Sequence, residues 1–361
     1  MTTHTSLSLL VLTLLAAPAQ TPLEWSPPPG AELAADHRVQ WKLEFEGAAI
    51  QIMGEDQDPA DFIEGYDEDA FSRDIELAFA ARDSELRLPL GDTADGPLSF
   101  VREYGEFTVD GETPDMAEGL TEGARVLFRR DGDDGWERRL LAAGDDATDS
   151  KAGEPLESLS ALAEDLGFRH LVPGEAVEAG ATWRVYLSGQ DLFDLVAGGL
   201  DAAGAPTIAA GLGAEDDERE LLGRLGEFLD VLAEGATVDC TLVSVEADDD
   251  GRELARIGLA LEHEGTLELS QYFTDTVKFD DGSGEGRTPE VEAEMAVSYS
   301  GTGELTWDLA AGCFAAFELT VEFEAELDVD LAADFDAFTF EIHADLDWTG
   351  ELTHTAEGSA Q

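Results

Sequence analysis

Residues 317–331 read FELTVEFEAELDVDL: every odd position is apolar, and every even one except Thr320 is acidic. A period of two means a β-strand with one buried and one solvated face. Two neighbouring segments repeat it. Val291, Ala293, Met295, Val297 and Tyr299 share one parity, which continues past Gly301 and Gly303 through Leu305, Trp307 and Leu309. Phe338, Phe340, Ile342, Ala344, Leu346 and Trp348 form the third set. The turns at Ala311–Gly312 and 332–334 are short, which requires antiparallel neighbours. Residues 236–353 are therefore expected to form an antiparallel meander of strands roughly 15–19 residues long, well above the usual length and suited to a curved sheet, half-barrel or barrel.

Val238, Cys240 and Leu242 open that meander, and Asp248-Asp-Asp-Gly251 turns into its next strand. Upstream, residues 36–145 carry further strand signals at Arg38–Glu46, Ser72–Ala81, Ser84–Leu90, Ser99–Val109 and Ala124–Arg130. The last leads through a hairpin at Arg130–Gly135 into Trp136–Leu141. Residues 55–69, with eight acids, read as a loop. The middle, 154–235, is expected to be helical, apart from a strand at 182–187. Pro155 and Leu156, Leu159, Leu162 and Leu166 mark one helix, and Asp191–Leu200 a short one. In Asp216–Ala233, Leu221, Leu222, Leu225, Phe228, Leu229 and Leu232 make an apolar stripe ended by Gly235. The fold expected is mainly β with inserted helices, the N-terminal strands and the C-terminal meander belonging to one domain.

Leu7–Ala17 is an apolar run of 11 residues followed by Ala17-Pro18-Ala19, the pattern of a signal peptide cut after residue 19. Eleven residues fall short of the roughly 20 that span a bilayer. Gln20, not Cys, follows, so a lipid-anchored N-terminus is not indicated, and residues 20–35 form a Pro-rich leader. The expected location is periplasmic or extracellular. The richest later apolar stretch, 192–212, is interrupted by Asp194, Asp201, Pro206 and glycines. No transmembrane helix is expected.

Eighty-one acidic side chains against 20 basic ones give a net charge of −61. Such a field repels nucleic acid and anionic lipid, and attracts cations. The acids concentrate on the solvated face of the meander: Glu292, Glu294, Glu304, Asp308, Glu318, Glu322, Glu324, Glu326, Asp328, Asp330, Glu341, Asp345, Asp347 and Glu351. No Lys or Arg follows Thr288. Carboxylates opposed across strands repel. Three readings stay open for this face: solvation in a saline habitat, a surface that uses divalent cations, or a dock for a basic partner.

The apolar face carries Tyr299, Trp307, Phe317, Phe323, Phe338, Phe340 and Trp348. Either the helices of the middle region complete a core on it, or sheet and helices enclose an apolar small molecule or lipid, with 197–213 as hinge. Cys240 and Cys313 are free to bridge in an oxidising compartment, and their spacing to other Cys and His suits no zinc site.

Nucleotide-binding, metalloprotease and serine-hydrolase motifs are absent, and the acids are too many for any catalytic pair to stand out. A hydrolase using carboxylates therefore remains the alternative to a non-enzymatic binding or structural module. Asp56, Asp58, Asp61, Asp67 and Asp69 have the density of a calcium loop without its register. Around Gly251 the phase of such a loop puts Ile257 where a bidentate Glu belongs. His263 shares the inward parity of Ile257, Leu259 and Leu261. His343 and His354 fall on the acidic side or at a strand end, where a solvated imidazole is expected.

Pro173-Gly-Glu-Ala-Val177-Glu-Ala-Gly180-Ala-Thr-Trp183 resembles the P-x-x-x-V-x-x-G-x-x-W segment of an uncharacterised group of exported bacterial proteins. Gly301-Thr-Gly303-Glu-Leu-Thr-Trp307-Asp308-Leu-Ala-Ala-Gly312 resembles their G-x-G-x-x-x-[FW]-D-x-x-x-G hairpin. The resemblance implies a proline-led turn, an aromatic strand anchor and a meander, and specifies no chemistry. At fold level the long strands also resemble the half-barrels of envelope lipoprotein carriers.

Overall fold

The computed structural model describes residues 20–61, 72–87, 99–111, 123–130, 136–145, 147, 153, 165, 167–197, 231–271, 274, 290–335 and 338–361. Its strands are β1 (Gln20–Leu23), β2 (Leu33–Ile52), β3 (Glu55–Gln57), β4 (Arg73–Arg87), β5 (Ser99–Val109), β6 (Arg125–Arg130) and β7 (Trp136–Leu141). Next come β8 (Glu175–Glu178), β9 (Thr182–Tyr186) and helix α1 (Gly189–Ala197). The chain ends in β10 (Thr237–Ala247), β11 (Glu253–Glu268), β12 (Glu290–Asp308), β13 (Cys313–Phe335) and β14 (Phe338–Ala360).

Twelve strands make one antiparallel sheet in the order β7-β6-β5-β4-β2-β14-β13-β12-β11-β10-β9, with β3 on the far end of β2. The sheet stays open, with β7 and β9 at its ends. The mainly β, long-stranded antiparallel fold class read from the sequence is the one present. β12, at 19 residues, has the expected length, and β13 and β14, at 23 each, exceed it. β14 lies between β13 and β2, so the first and last long strands are neighbours at the centre of the sheet, Leu33 opposite Ala360.

Several boundaries differ from the sequence reading. The leader is no free segment: β1 pairs with β8, and β2 begins at Leu33. The two strands expected at 72–81 and 84–90 are the single β4, which runs through the polar Arg82, Asp83 and Ser84. Residues 55–57 of the acidic loop pair with β2. The turn after β13 falls beyond Phe335 rather than at 332–334. Of the helical middle, α1 is present. The helix expected from Leu156 and most of Asp216–Ala233 lie outside the described residues, as does the 131–135 hairpin tip. Residues 231–232 are helical, and Gly235, at φ 86°, turns the chain into β10.

The main core sits on the odd-numbered face of β11–β13 (joined by Phe314 at the bulge), the even-numbered face of β10 and the matching faces of β2, β4 and β14. It is covered by α1 (Leu192, Leu195), the turn around Phe168 and Leu171, and Leu23 of β1. A bulge between Thr306 and Trp307 sets Trp307 opposite Phe314 while Leu305 faces Phe317, so Trp307, Phe314 and Phe317 are all buried. Local chemistry ends β12: the Asp308 carboxylate accepts from the Ala310 and Ala311 amides, each at 2.9 Å, and Gly312 takes φ 61°. The leader then clasps this turn, the Ser26 amide donating to the Gly312 carbonyl.

Gly301 and Gly303 lie mid-strand in β12, where β13 approaches too closely for a side chain. A Cβ on Gly301 would stand 2.8 Å from the Thr320 carbonyl oxygen, and one on Gly303 would strike that of Glu318. Backbone on both sides cannot yield as a side-chain tip would. Gly303→Ala is expected to lower stability by roughly 1–3 kcal/mol, read as a fall in urea midpoint; an unchanged midpoint would mean the strands can separate there without cost.

Candidate functional site

The seven aromatic residues expected to line an apolar site do not form one chamber. Trp307 and Phe317 belong to the closed core: Phe317 stacks on Phe168 at 3.9 Å between ring centroids, and Phe314 meets Phe168 edge-on at 5.2 Å. Tyr299 is also buried, its hydroxyl donating to the Leu232 carbonyl at 3.2 Å, and burial pushes its pKa up to about 12. Phe323, Phe340 and Trp348 are only half-buried; Trp348 packs on Phe45 at 5.4 Å. The side chain of Phe338 lies outside the described ones.

The cavity best enclosed by apolar side chains lies elsewhere, lined by Trp25, Leu33, Leu86, Phe100 and Phe314. At about 40 Å³ it has room for little more than a water molecule. Its polar wall is internally neutralised. Asp83 holds Arg102 through two bonds of 2.7 and 2.8 Å, and Asp165 accepts from Arg169 at 3.1 Å. Burial pushes the Asp165 carboxyl up, but Arg169, His170 and the Gly167 amide outweigh it and hold it well below the carboxylate range.

Larger recesses open on the acidic face. One of about 490 Å³ is bordered by Glu262, Glu264, Glu322, Glu324 and Glu351, with Lys42 at its rim. Register explains the charge density. Within β11–β14 seven carboxylate pairs are directly opposed: Glu268/Glu294, Glu292/Asp330, Glu294/Asp328 and Glu304/Glu318 among them. The others are Glu322/Glu351, Glu326/Asp347 and Asp328/Asp345. Glu268, Glu294, Asp328 and Asp345 thus make one row across four strands. Arg256 of β11 holds Glu304 at 2.8 Å and offsets one of these pairs; on β9 and β2, Arg184 holds Asp239 and Lys42 pairs with Glu44. Asp308, expected on this face, is buried and caps its turn.

His343 is the basic ring inside the acidic rows. Its Nδ1 lies 3.0 Å from Asp330 and 3.8 Å from Asp328, and its Nε2 3.3 Å from Asp345. Burial pulls its pKa down, but the Asp330 hydrogen bond and the three carboxylates outweigh it and raise it. One ligand atom each from Asp328, Asp330 and His343 lies within 4.8 Å of the others, close enough to share a cation. Sequence reading missed this group although its signal was present: D-x-D at 328–330 faces H-x-D at 343–345 once the hairpin register is known.

The acids singled out for calcium behave differently. Asp56 accepts from Gln51, Asp58 caps the Ala60 amide, and Asp61 ends a short 3-10 turn. Asp67 and Asp69 lie outside the described residues. Asp248 caps its own turn, accepting from the Asp250 and Arg252 amides and from the Arg252 guanidinium.

The bridge between Cys240 and Cys313 is overturned. Both are free, buried thiols, on β10 and β13 with two strands between them. At about 4.8 Å per strand their backbones stand roughly 14 Å apart, beyond any disulfide. Burial raises the thiol pKa to about 12 at Cys240 and about 11 at Cys313, so neither is a ready nucleophile. His354 also departs from expectation. β14 continues to Ala360, the parity of Trp348 carries on through Leu352, and His354 is fully buried in the core.

The motif residues have structural jobs. Gly174 and Gly180 take φ 69° and 83° around β8, and the Trp183 indole donates to the Leu171 carbonyl at 2.9 Å. Among the described residues no helix is long and apolar enough to cross a membrane. No protein-family model matches the sequence, and no curated protein does. Among solved structures, OpdQ of Pseudomonas aeruginosa aligns over 91% of this chain and 98% of its own, at 8% identity and a TM-score of 0.19. OccK7 (OpdD) of the same organism aligns over 92% and 99%, at 6% identity and a TM-score of 0.13, and scores at that level mark no shared fold.

Proposed function

We propose that this chain is an exported, non-catalytic module of the cell envelope whose acidic sheet face works as a cation-charged surface. The carrying observation is the row Glu268–Glu294–Asp328–Asp345, four carboxylates on adjacent strands with His343 beside it. Divalent cations bridge such carboxylates and remove their mutual repulsion. Export rests on the apolar run and small-residue cut site before Gln20. Asp165, Asp239 and Asp248 are all held below the ordinary carboxyl range, which fits poorly with a general acid at neutral pH.

A second reading has its own observation. Phe323, Phe340 and Trp348 remain half-buried on the apolar face, while Trp307 and Phe317 are closed in. That strip would suit an apolar small molecule or lipid. One preparation tests both. Protein taken from its native host and desalted into metal-free buffer is analysed for bound metals and, after organic extraction, for apolar molecules. Calcium or magnesium retained at one or more ions per chain, and lost on Asp328→Asn with Asp330→Asn, supports the first reading. A stoichiometric apolar molecule replaces it with the second, and protein bare of both sinks the two together.

A further inference from the structure

We infer that His37 and His354 form an acid-releasable latch that holds helix α1 on the sheet. The two rings are 3% and 0% exposed, on the adjacent strands β2 and β14, with His37 Nδ1 3.0 Å from His354 Nε2. His354 Nδ1 lies 2.8 Å from the carbonyl oxygen of Leu195 in the last turn of α1. A carbonyl only accepts, so His354 Nδ1 carries the proton, its Nε2 accepts, and His37 Nδ1–H donates. A directed relay thus runs from β2 through β14 to the helix. It works with both rings neutral.

The surroundings make a charge costly. His37 stacks on Phe79 at 4.6 Å, and His354 meets Phe317 edge-on at 4.9 Å and Phe168 at 5.6 Å. On the faces turned to the pair, β2 adds Ala35 and Val39, β4 Leu77 and Ala81, and β13 Phe314 and Leu319. None of these ionises. The charges on the same elements lie apart or are engaged: Asp36, Arg38, Glu76, Glu318 and Glu357 alternate onto the opposite face. In the Phe168 turn, Asp165, Arg169 and His170 bind one another. On α1, Asp191 accepts from Ser188, and the buried Asp194 from Gln190 at 2.6 Å.

One added proton puts a net charge among phenyl rings. Placed on His354 Nε2, it also turns both facing nitrogens into donors and breaks the relay. The sign follows from linkage. Burial lowers the His354 pKa to about 4, the Leu195 carbonyl only partly opposing, whereas a released ring titrates near its ordinary 6.5. The latch is therefore fully closed above about pH 6.5. It weakens about tenfold per pH unit down to about 4, roughly 300-fold in all for one proton, and then levels off.

Hydrogen exchange of the 189–197 peptide, corrected for the intrinsic pH dependence of exchange, tests this between pH 7 and 4.5. The opening constant of α1 should rise about tenfold per unit below pH 6.5 while β13 stays protected. In His354→Gln, whose amide still donates to Leu195 without titrating, the slope should vanish. A flat wild-type profile, the same slope in the variant, or an equal rise in β13 would overturn the latch. Nitrogen-15 shifts of the wild-type rings give a check that needs no variant. His354 should read as the neutral Nδ1–H form at pH 7 and gain charge only as α1 opens; charging without opening would equally defeat the proposal.

Discussion

Melting should move upward by on the order of 10 °C when sodium chloride is raised from about 0.01 M to about 1 M, at constant pH near 7. The seven opposed carboxylate pairs of β11–β14 are the reason. Two unit charges 5 Å apart repel by about 0.8 kcal/mol even in bulk water. Arg256 offsets the repulsion at Glu304; the other six pairs amount to about 5 kcal/mol before the side chains splay apart, and rotamer freedom removes about half of that sum. In 1 M salt the screening length falls to about 3 Å and most of the remainder disappears. At about 2–4 °C per kcal/mol the shift is large enough to read by any thermal probe. Glu294 stands between Glu268 and Asp328, so Glu294→Gln should raise the low-salt melting point and leave the high-salt one unchanged. Equal melting at both salt concentrations would mean the carboxylates already hold cations or lie farther apart than their register implies.

The second large effect concerns the ion pair in the N-terminal strands. Arg102 is 1% exposed at its side chain, bound at both ends of its fork by Asp83, which keeps 18% exposure. Its guanidinium carbon lies 5.1 Å from the Phe100 ring and 5.0 Å from the Phe128 ring, which stack on each other at 4.6 Å. Burial disfavours the charged guanidinium, but Asp83 and Tyr104 outweigh it and raise its pKa. Asp83→Asn removes the carboxylate that neutralises a buried guanidinium, and is expected to cost about 3–5 kcal/mol. Arg102→Met leaves the partly exposed Asp83 to recruit water, while methionine fills the space beside the two stacked rings. It should cost clearly less. Urea unfolding of the two variants decides the order; a costlier Arg102→Met would mean that the contact of Arg102 with the stacked rings, not the ion pair, holds this end of the sheet.

That pair also shows where sequence reading stops. Alternation alone gave the faces of β12, β13 and β14, because one residue in two reports burial directly. Arg82-Asp83-Ser84 broke the same signal in β4 and split one strand into two. The polar residue in the gap is there to neutralise an arginine 19 positions later, and such a partner has no local signature. His354 was misjudged for the converse reason. Its parity matches the core, but the apolar set read from Phe338 stops at Trp348, because Gly350 interrupts it where β2 and the Phe323 ring crowd β14. The cation group at Asp328, Asp330 and His343 was hidden by abundance: in a chain with 81 acids, only the register singles out three.

The pairing of β2 with β14 sets an order of events. Leu33 meets Ala360, so the centre of the sheet joins residues separated by nearly the whole chain. Closing so long a loop is slow, and no earlier segment pairs with this edge of β2 in place of the 23 residues of β14. A ribosome releasing this chain leaves β2 without this central neighbour until residues 338–360 have been added. The sheet is therefore kept from completing its centre until β14 is made, and a chain that cannot finish folding early stays threadable through a translocation pore. High negative charge keeps that waiting chain extended and unaggregated. Delay at the sheet's centre is thus compatible with export as an unfolded strand and assembly on the far side.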